Sequence, residues 1–142
     1  VYQARRKQII REDSVLNVYT PETDQQIIDK QVNNWWQKTS KEYFQDVLNR
    51  LYPIVEKHGV QRPDICVKKM RTLWGSCSRT NQKINLNFYL YKASVPCIEY
   101  VVLHELAHFL YHNKEFFDFI TVHMPDWQYR KQQLDYEFVI GI

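Results

Sequence analysis

The sequence predicts one α+β domain, on three observations. Apolar residues recur at helical spacing between Ile27 and Val55, the period falls to two around Ile65 and again from Ile84 to Leu90, and the helical period then returns and holds almost to the end. The order of elements is N-terminal strands (1–20), a helical region (23–59), and a sheet with its covering helices (64–142). With 142 residues and 44% apolar content, the chain can bury roughly 70% of its unfolded surface in a single core.

Each element has a local cause. Val1 to Ile10 and Val15 to Tyr19 are apolar-rich runs joined by the polar stretch Arg11 to Ser14, which suits a hairpin. Thr23 and Gln26 form a capping-box pair before Ile27, Ile28, Val32, Trp35 and Trp36, and the two tryptophans read as helix-packing residues. Thr39 and Glu42 suggest a second start, with a stripe of Phe44, Val47, Leu48, Leu51 and Val55 that Pro53 should bend or end and Gly59 should stop. His58 falls in the last turn of that helix, where a cation suits the dipole. Ile65 and Val67 mark one strand and Ile84 to Leu90 another, while LWGSCSRTNQ between them reads as a turn or irregular loop. Pro96 then opens a helix with Val101, Val102, Leu103, Leu106 and Phe109 on its apolar face. Phe116 to Val122 form a short helix, and Pro125 opens a last one through Trp127 and Leu134.

Composition narrows the setting. Cys66, Cys77 and Cys97 form no CxxC pair, and an odd number argues against a disulfide framework, so a reducing cytoplasm is expected. No apolar run approaches the ~20 residues that span a bilayer, and no signal peptide is recognised, so no membrane partner is expected. A net charge of +3 with interspersed acidic residues is weak support for nucleic acid. The chain opens on Val1 inside a predicted strand, so upstream residues are expected to have been removed or left out.

The chemistry lies in HELAHFLYHNKEFF, residues 104–117. On a helix, residues four apart are separated by about 6 Å along the axis and about 40° in rotation, so His104 and His108 can face one metal ion. Glu105 is turned aside from the ligands and close enough to take a proton from water. A catalytic zinc keeps one position open for water and lowers its pKa to roughly 7. Two histidines and a glutamate in the most apolar stretch of the chain would be costly to bury merely as packing residues. A third protein ligand is still needed, and His112, Glu115 and His123 are available.

Five separate motifs, MRTLWGSCS (70–78), INLNFYL (84–90), YVVLHELAHF (100–109), HNKEFF (112–117) and MPDW (124–127), together resemble the YgjP-like metallopeptidases, relatives of the SprT and WLM groups. The resemblance covers the C-terminal half and implies a small zincin-like domain, with the HExxH helix packed on a twisted mixed or antiparallel sheet and further N- and C-terminal helices. It implies one Zn2+ per chain held by His104, His108 and His112, Glu105 as the catalytic base, and a peptide or protein substrate. It also implies that Trp74, Gly75 and Ser76 line the cleft. Cys77 reads as a small buried residue rather than a nucleophile, and INLNFYL or its neighbour offers a strand edge to an extended peptide.

The spacing departs from the family. Relatives place five residues between the second and third histidines, and this chain has Phe109, Leu110 and Tyr111. In an unbroken helix His112 would lie about 12 Å along the axis from His104, too far to share an ion. Either the helix breaks after His108 and the chain doubles back, or loop residues are missing at Tyr111 to Asn113, or another residue ligates. Glu115 is then the next candidate, by analogy with gluzincins. His123 lies where the pattern demands no histidine and reads as a surface or packing residue. Two alternative functions share these residues: a metal-dependent hydrolase of a non-peptide substrate such as a nucleotide, with Lys68, Lys69 and Arg71 nearby, or a binding module for nucleic acid or a partner.

Overall fold

The computed structural model describes residues 1–13 and 15–139 and divides into two compact units, Val1–Thr39 and Ser40–Ile142. In the first unit the expected hairpin is present but the first run is split. Strands β1 (Tyr2–Gln3), β2 (Gln8–Glu12) and β3 (Val15–Thr20) form a sheet in the order β1-β3-β2. β2 and β3 are antiparallel, with Ile9 opposite Val18, and β1 lies parallel to β3, where Tyr2 stacks on Tyr19 with ring centroids 5.0 Å apart. Asp13 takes φ 53° after β2, a left-handed conformation that a short polar side chain tolerates.

Helix α1 (Gln25–Leu51) is one element where the sequence suggested two. Its cap is Asp24, whose carboxylate accepts from the Gln26 amide at 2.9 Å, and not Thr23. Thr39 and Glu42 lie mid-helix: Ser40 between them is fully buried, and packing of Phe44, Val47 and Leu48 carries the helix through the polar stretch. In the first unit, Trp36 is buried with the Arg11 guanidinium 5.5 Å from its ring. Thr20, also buried, donates its hydroxyl to Gln31 of α1 at 3.0 Å.

In the second unit Pro53 ends α1, because it lacks an N–H and crowds the preceding turn. It starts the single turn α2 (Pro53–Glu56), and Gly59 with φ 88° reverses the chain. Three strands follow, β4 (Asp64–Lys68), β5 (Gly75–Ser78) and β6 (Lys83–Asn87), in the order β4-β6-β5. β4 and β6 are parallel, with Ile65 opposite Ile84 and Val67 opposite Leu86, while β5 runs antiparallel to β6. The stretch expected to be an irregular loop therefore contains a strand. The strand expected to run from Ile84 to Leu90 stops at Asn87, whose side chain accepts from the Tyr89 amide and donates to the carbonyls of Met70 and Leu73, both at 2.8 Å. This cap turns Phe88–Lys92 into a 3-10 helix. β6 is central, so the sheet edges belong to β4 and β5.

Helix α3 (Val95–Ala107) carries Pro96 in its first turn, as expected. It ends sooner than its apolar pattern suggested: Phe109 lies beyond it, in the turn that follows His108. Helices α4 (Glu115–His123) and α5 (Trp127–Val139) complete the unit. α5 is tied to the start of α3 at two points: Arg130 donates to Glu99 at 3.3 Å and to the Pro96 carbonyl at 3.2 Å, and Glu137 accepts from the Ser94 amide at 3.1 Å. Among the described residues no helix is long and apolar enough to cross a membrane.

The contact between β5 and α3 depends on a missing side chain. A Cβ on Gly75 would come within 3.1 Å of Glu105 Cγ and Val101 Cγ1 and 3.3 Å of the Asn85 carbonyl. Gly75→Ala is therefore expected to destabilise the fold by ~1–3 kcal/mol through overpacking, and Gly75→Val by more, measured by urea unfolding. Leu103, fully buried in α3, is expected to cost ~2–5 kcal/mol when changed to Ala, read from the same transition.

Candidate metal centre

Nine of the thirteen residues of α3 are buried, and Glu105 is among them. His104 and His108 lie one turn apart on the same face, with ring centroids 4.8 Å apart and planes inclined at 71°. One ligand atom from each of His104, Glu105 and His108 falls within 4.8 Å of the others, the group among the described residues that could hold a metal ion.

The surroundings suit cation binding. Burial lowers the His104 pKa to about 4, helped by the positive potentials of His108 and Lys131. Burial likewise lowers that of His108, with a further contribution from His112. Both imidazoles are thus neutral at neutral pH, each with a lone pair to give, and this pair of nitrogens, with the Glu105 carboxyl beside it, fits a borderline-soft divalent ion such as zinc. Burial pushes the Glu105 carboxyl up to about 7. Cys77 is pushed up to about 11, chiefly by burial and then by Glu105, so its thiol keeps its proton at neutral pH and is no nucleophile.

Phe116 of α4 packs against both imidazoles. Its ring stacks on His108 at 4.4 Å and meets His104 edge-on at 4.9 Å. On the other side a cavity of about 290 Å³ opens between β5 and the helices, lined by Trp74, Gly75, Tyr100, Val101 and Leu134 and reaching His104 and Glu105. Ser76 is outside this lining, where its hydroxyl accepts from Asn85 at 3.1 Å.

The further ligand candidates His112, Glu115 and His123 lie outside this group. α3 stops at Ala107 with His108 as its C-cap, so the chain leaves the helix axis before His112. The His112 ring is held by the Arg79 guanidinium, 3.3 Å from Nδ1 and in contact with Nε2. Glu115 and His123 line a second groove with Lys57, His58 and Phe119, away from the imidazole pair. There His58 and His123 both pack on Phe119, at 5.8 and 4.6 Å, and Tyr111 lies 5.4 Å from the same ring. Lys68, Lys69 and Arg71 are not in the lining of the cavity at His104, and the Lys69 ammonium lies over the Phe88 ring.

Sequence reasoning missed Tyr100, whose hydroxyl is 3.2 Å from His104 Nδ1. Its position four residues before His104 was the available signal. It also missed the packing of Phe116 on the histidines, and the approach of Lys131 and Asp135 from α5, which no local pattern announces.

A family model described as YgjP-like, metallopeptidase domain, matches residues 2–137. No curated protein matches the sequence. Two crystal structures resemble the fold. The metallopeptidase zymogen of Methanocaldococcus jannaschii jannalysin gives a TM-score of 0.55 at 19% identity, covering 67% of this chain and 96% of that one. The metallopeptidase zymogen of Pyrococcus abyssi abylysin gives 0.55 at 21%, covering 69% and 94%. A likeness at that identity speaks for the fold, and the family match extends it to nearly the whole sequence, through the α3 helix with its clustered imidazoles and carboxylate: the chain belongs to the YgjP-like metallopeptidase family, a peptidase by descent.

Proposed function

We propose that the protein is a zinc-dependent peptidase in which His104 and His108, completed by His112, hold one ion per chain and Glu105 is the catalytic base. The observation that carries this reading is the gathering of two neutral imidazoles and one buried carboxylate within 4.8 Å on α3. When bound, zinc supplies a Lewis acid that polarises the scissile carbonyl and acidifies water. Glu105 takes the proton of the attacking water and returns it to the leaving amine, a task suited to a carboxylate whose burial brings its pKa close to neutrality.

Two features support His112 over Glu115 as the third ligand. The end of α3 at Ala107 removes the obstacle of an unbroken helix, so that His112, which lies outside the group of His104, Glu105 and His108, could turn to an ion there by leaving Arg79. Glu115 faces the other groove. On this reading His112 exchanges Arg79 for the ion. The edge strand β5 is suited to pair with an extended peptide through its main chain, and Trp74 and Gly75 would form the wall beside it. The three free thiols suit a reducing compartment such as the cytoplasm.

The test is zinc content after dialysis against a weak chelator. The parent chain is expected to retain about one zinc, His104→Ala, His108→Ala and His112→Ala to lose it, and Glu115→Ala to keep it. Loss from Glu115→Ala and retention by His112→Ala would reassign the third ligand, and a parent without zinc would remove the proposal. Glu105→Gln is expected to keep the ion while hydrolysis of a denatured protein substrate falls ~10²- to 10⁴-fold, followed by release of fluorescent peptides.

A further inference from the structure

Tyr100 precedes His104 by one helical turn on α3, and its hydroxyl lies 3.2 Å from Nδ1 of the imidazole. Residues four apart share a helix face, so the backbone itself builds this contact. The phenol has little room to leave it. Its ring is buried, meets the His104 ring edge-on at 5.6 Å, and stacks on Trp127 at 6.1 Å with planes 15° apart. Trp127 is anchored in turn: its indole N–H donates to the Thr121 hydroxyl at 2.9 Å, that hydroxyl donates to the Phe117 carbonyl at 2.7 Å, and the Phe117 ring stacks on the indole at 5.2 Å.

A hydroxyl facing an imidazole nitrogen can donate or accept, and the two cases have opposite consequences. If the phenol donates, it occupies the Nδ1 lone pair and leaves a proton on Nε2. If it accepts, the ring proton is on Nδ1 and the Nε2 lone pair is free for a metal. Geometry selects the second case for a ring that ligates: with Nδ1 facing the phenol, Nε2 is the nitrogen left for the cluster, and it has a lone pair to give only when the ring proton is on Nδ1. The hydroxyl hydrogen then turns away from the imidazole, toward the cavity that Tyr100 shares with the carboxyl groups of Asp135 and Glu105.

We infer that Tyr100 is a positioning residue: its hydroxyl oxygen accepts the Nδ1–H hydrogen bond of His104 and fixes that ring in the tautomer whose Nε2 lone pair is offered to the cluster with His108 and Glu105. The inference rests on the reading of His104 as a ligand. Tyr100 itself touches neither substrate nor ion in this role and acts through the imidazole.

The test compares the full-length parent with Tyr100→Phe, which keeps the ring and its stack on Trp127 and removes only the hydroxyl. In the metal-free proteins at one pH above neutrality, nitrogen-15 NMR of the imidazoles reads the tautomer of His104 directly. The parent is expected to show Nδ1–H, and the variant a shift toward Nε2–H. Zinc affinity, measured by competition with a chromophoric chelator, is expected to fall 10- to 100-fold in the variant while the circular dichroism spectrum stays unchanged. An Nε2–H tautomer in the parent would overturn the inference, even if the variant failed to fold. So would a folded variant with unchanged tautomer and affinity. A His104→Ala chain that kept its zinc would instead overturn the ligand assignment, whatever the tautomer, so the two failures are distinguishable.

Discussion

Helix α3 is enclosed by β5, α4 and α5, and the full burial of Val102, Leu103, Leu106 and Ala107 leaves it no freedom to rotate about its axis. A turn of one position would drive His104 into the apolar core and bring a leucine to the cluster, at a cost of several kcal/mol for the unpaired polar groups alone. The orientation of both imidazoles and of the carboxylate between them thus follows from apolar packing on the rest of the helix. The chemistry is held by residues that take no part in it.

The same enclosure sets the electrostatics. Burial disfavours every charged form, and Lys131 and the neighbouring histidines further disfavour protonated imidazole, so His104 and His108 are neutral lone-pair donors while Glu105 is a more basic carboxyl than an exposed one. A divalent ion held there would reverse that balance by supplying positive charge, and its binding would be coupled to the protonation of the same groups. The close passage of β5 at Gly75 belongs to this arrangement, because any larger residue would push on Glu105. The edge strand β5, the Glu105 carboxyl and the cavity are thereby brought together.

Around this helix, each neighbour contributes one constraint. α4 brings Phe116 onto the two imidazoles, α5 brings Trp127 against Tyr100, and the hairpin after β5 brings Arg79 to His112. None of these neighbours is adjacent in sequence to the residue it holds. The ion pair of Arg130 with Glu99 and the bond from Ser94 to Glu137 keep α5 in register with α3, so the two-point attachment of α5 also sets the wall of the cavity.

Local causes made much of this legible. The i, i+4 pair of histidines, Pro96 in the first turn of α3, the alternation at Ile65–Val67 and the break at Pro53 each act within a few residues, and each is where the pattern places it. What failed did so where distant contacts outweigh local preference. The GSCS stretch is a strand because β6 offers it a ladder, the capping pair at Thr39 is overridden by the packing of α1, and the strand from Ile84 is cut short when Asn87 finds carbonyls in the loop from Met70 to Leu73. The sequence by itself determined which residues could hold a metal ion and that they share one helix face, because helix geometry needs no partner. Only the tertiary structure decided that α3 ends at Ala107, that Glu115 faces a different groove from His104, and that Phe116 packs on both imidazoles. Those outcomes depend on which buried surfaces meet, and such meetings are not written in any local period.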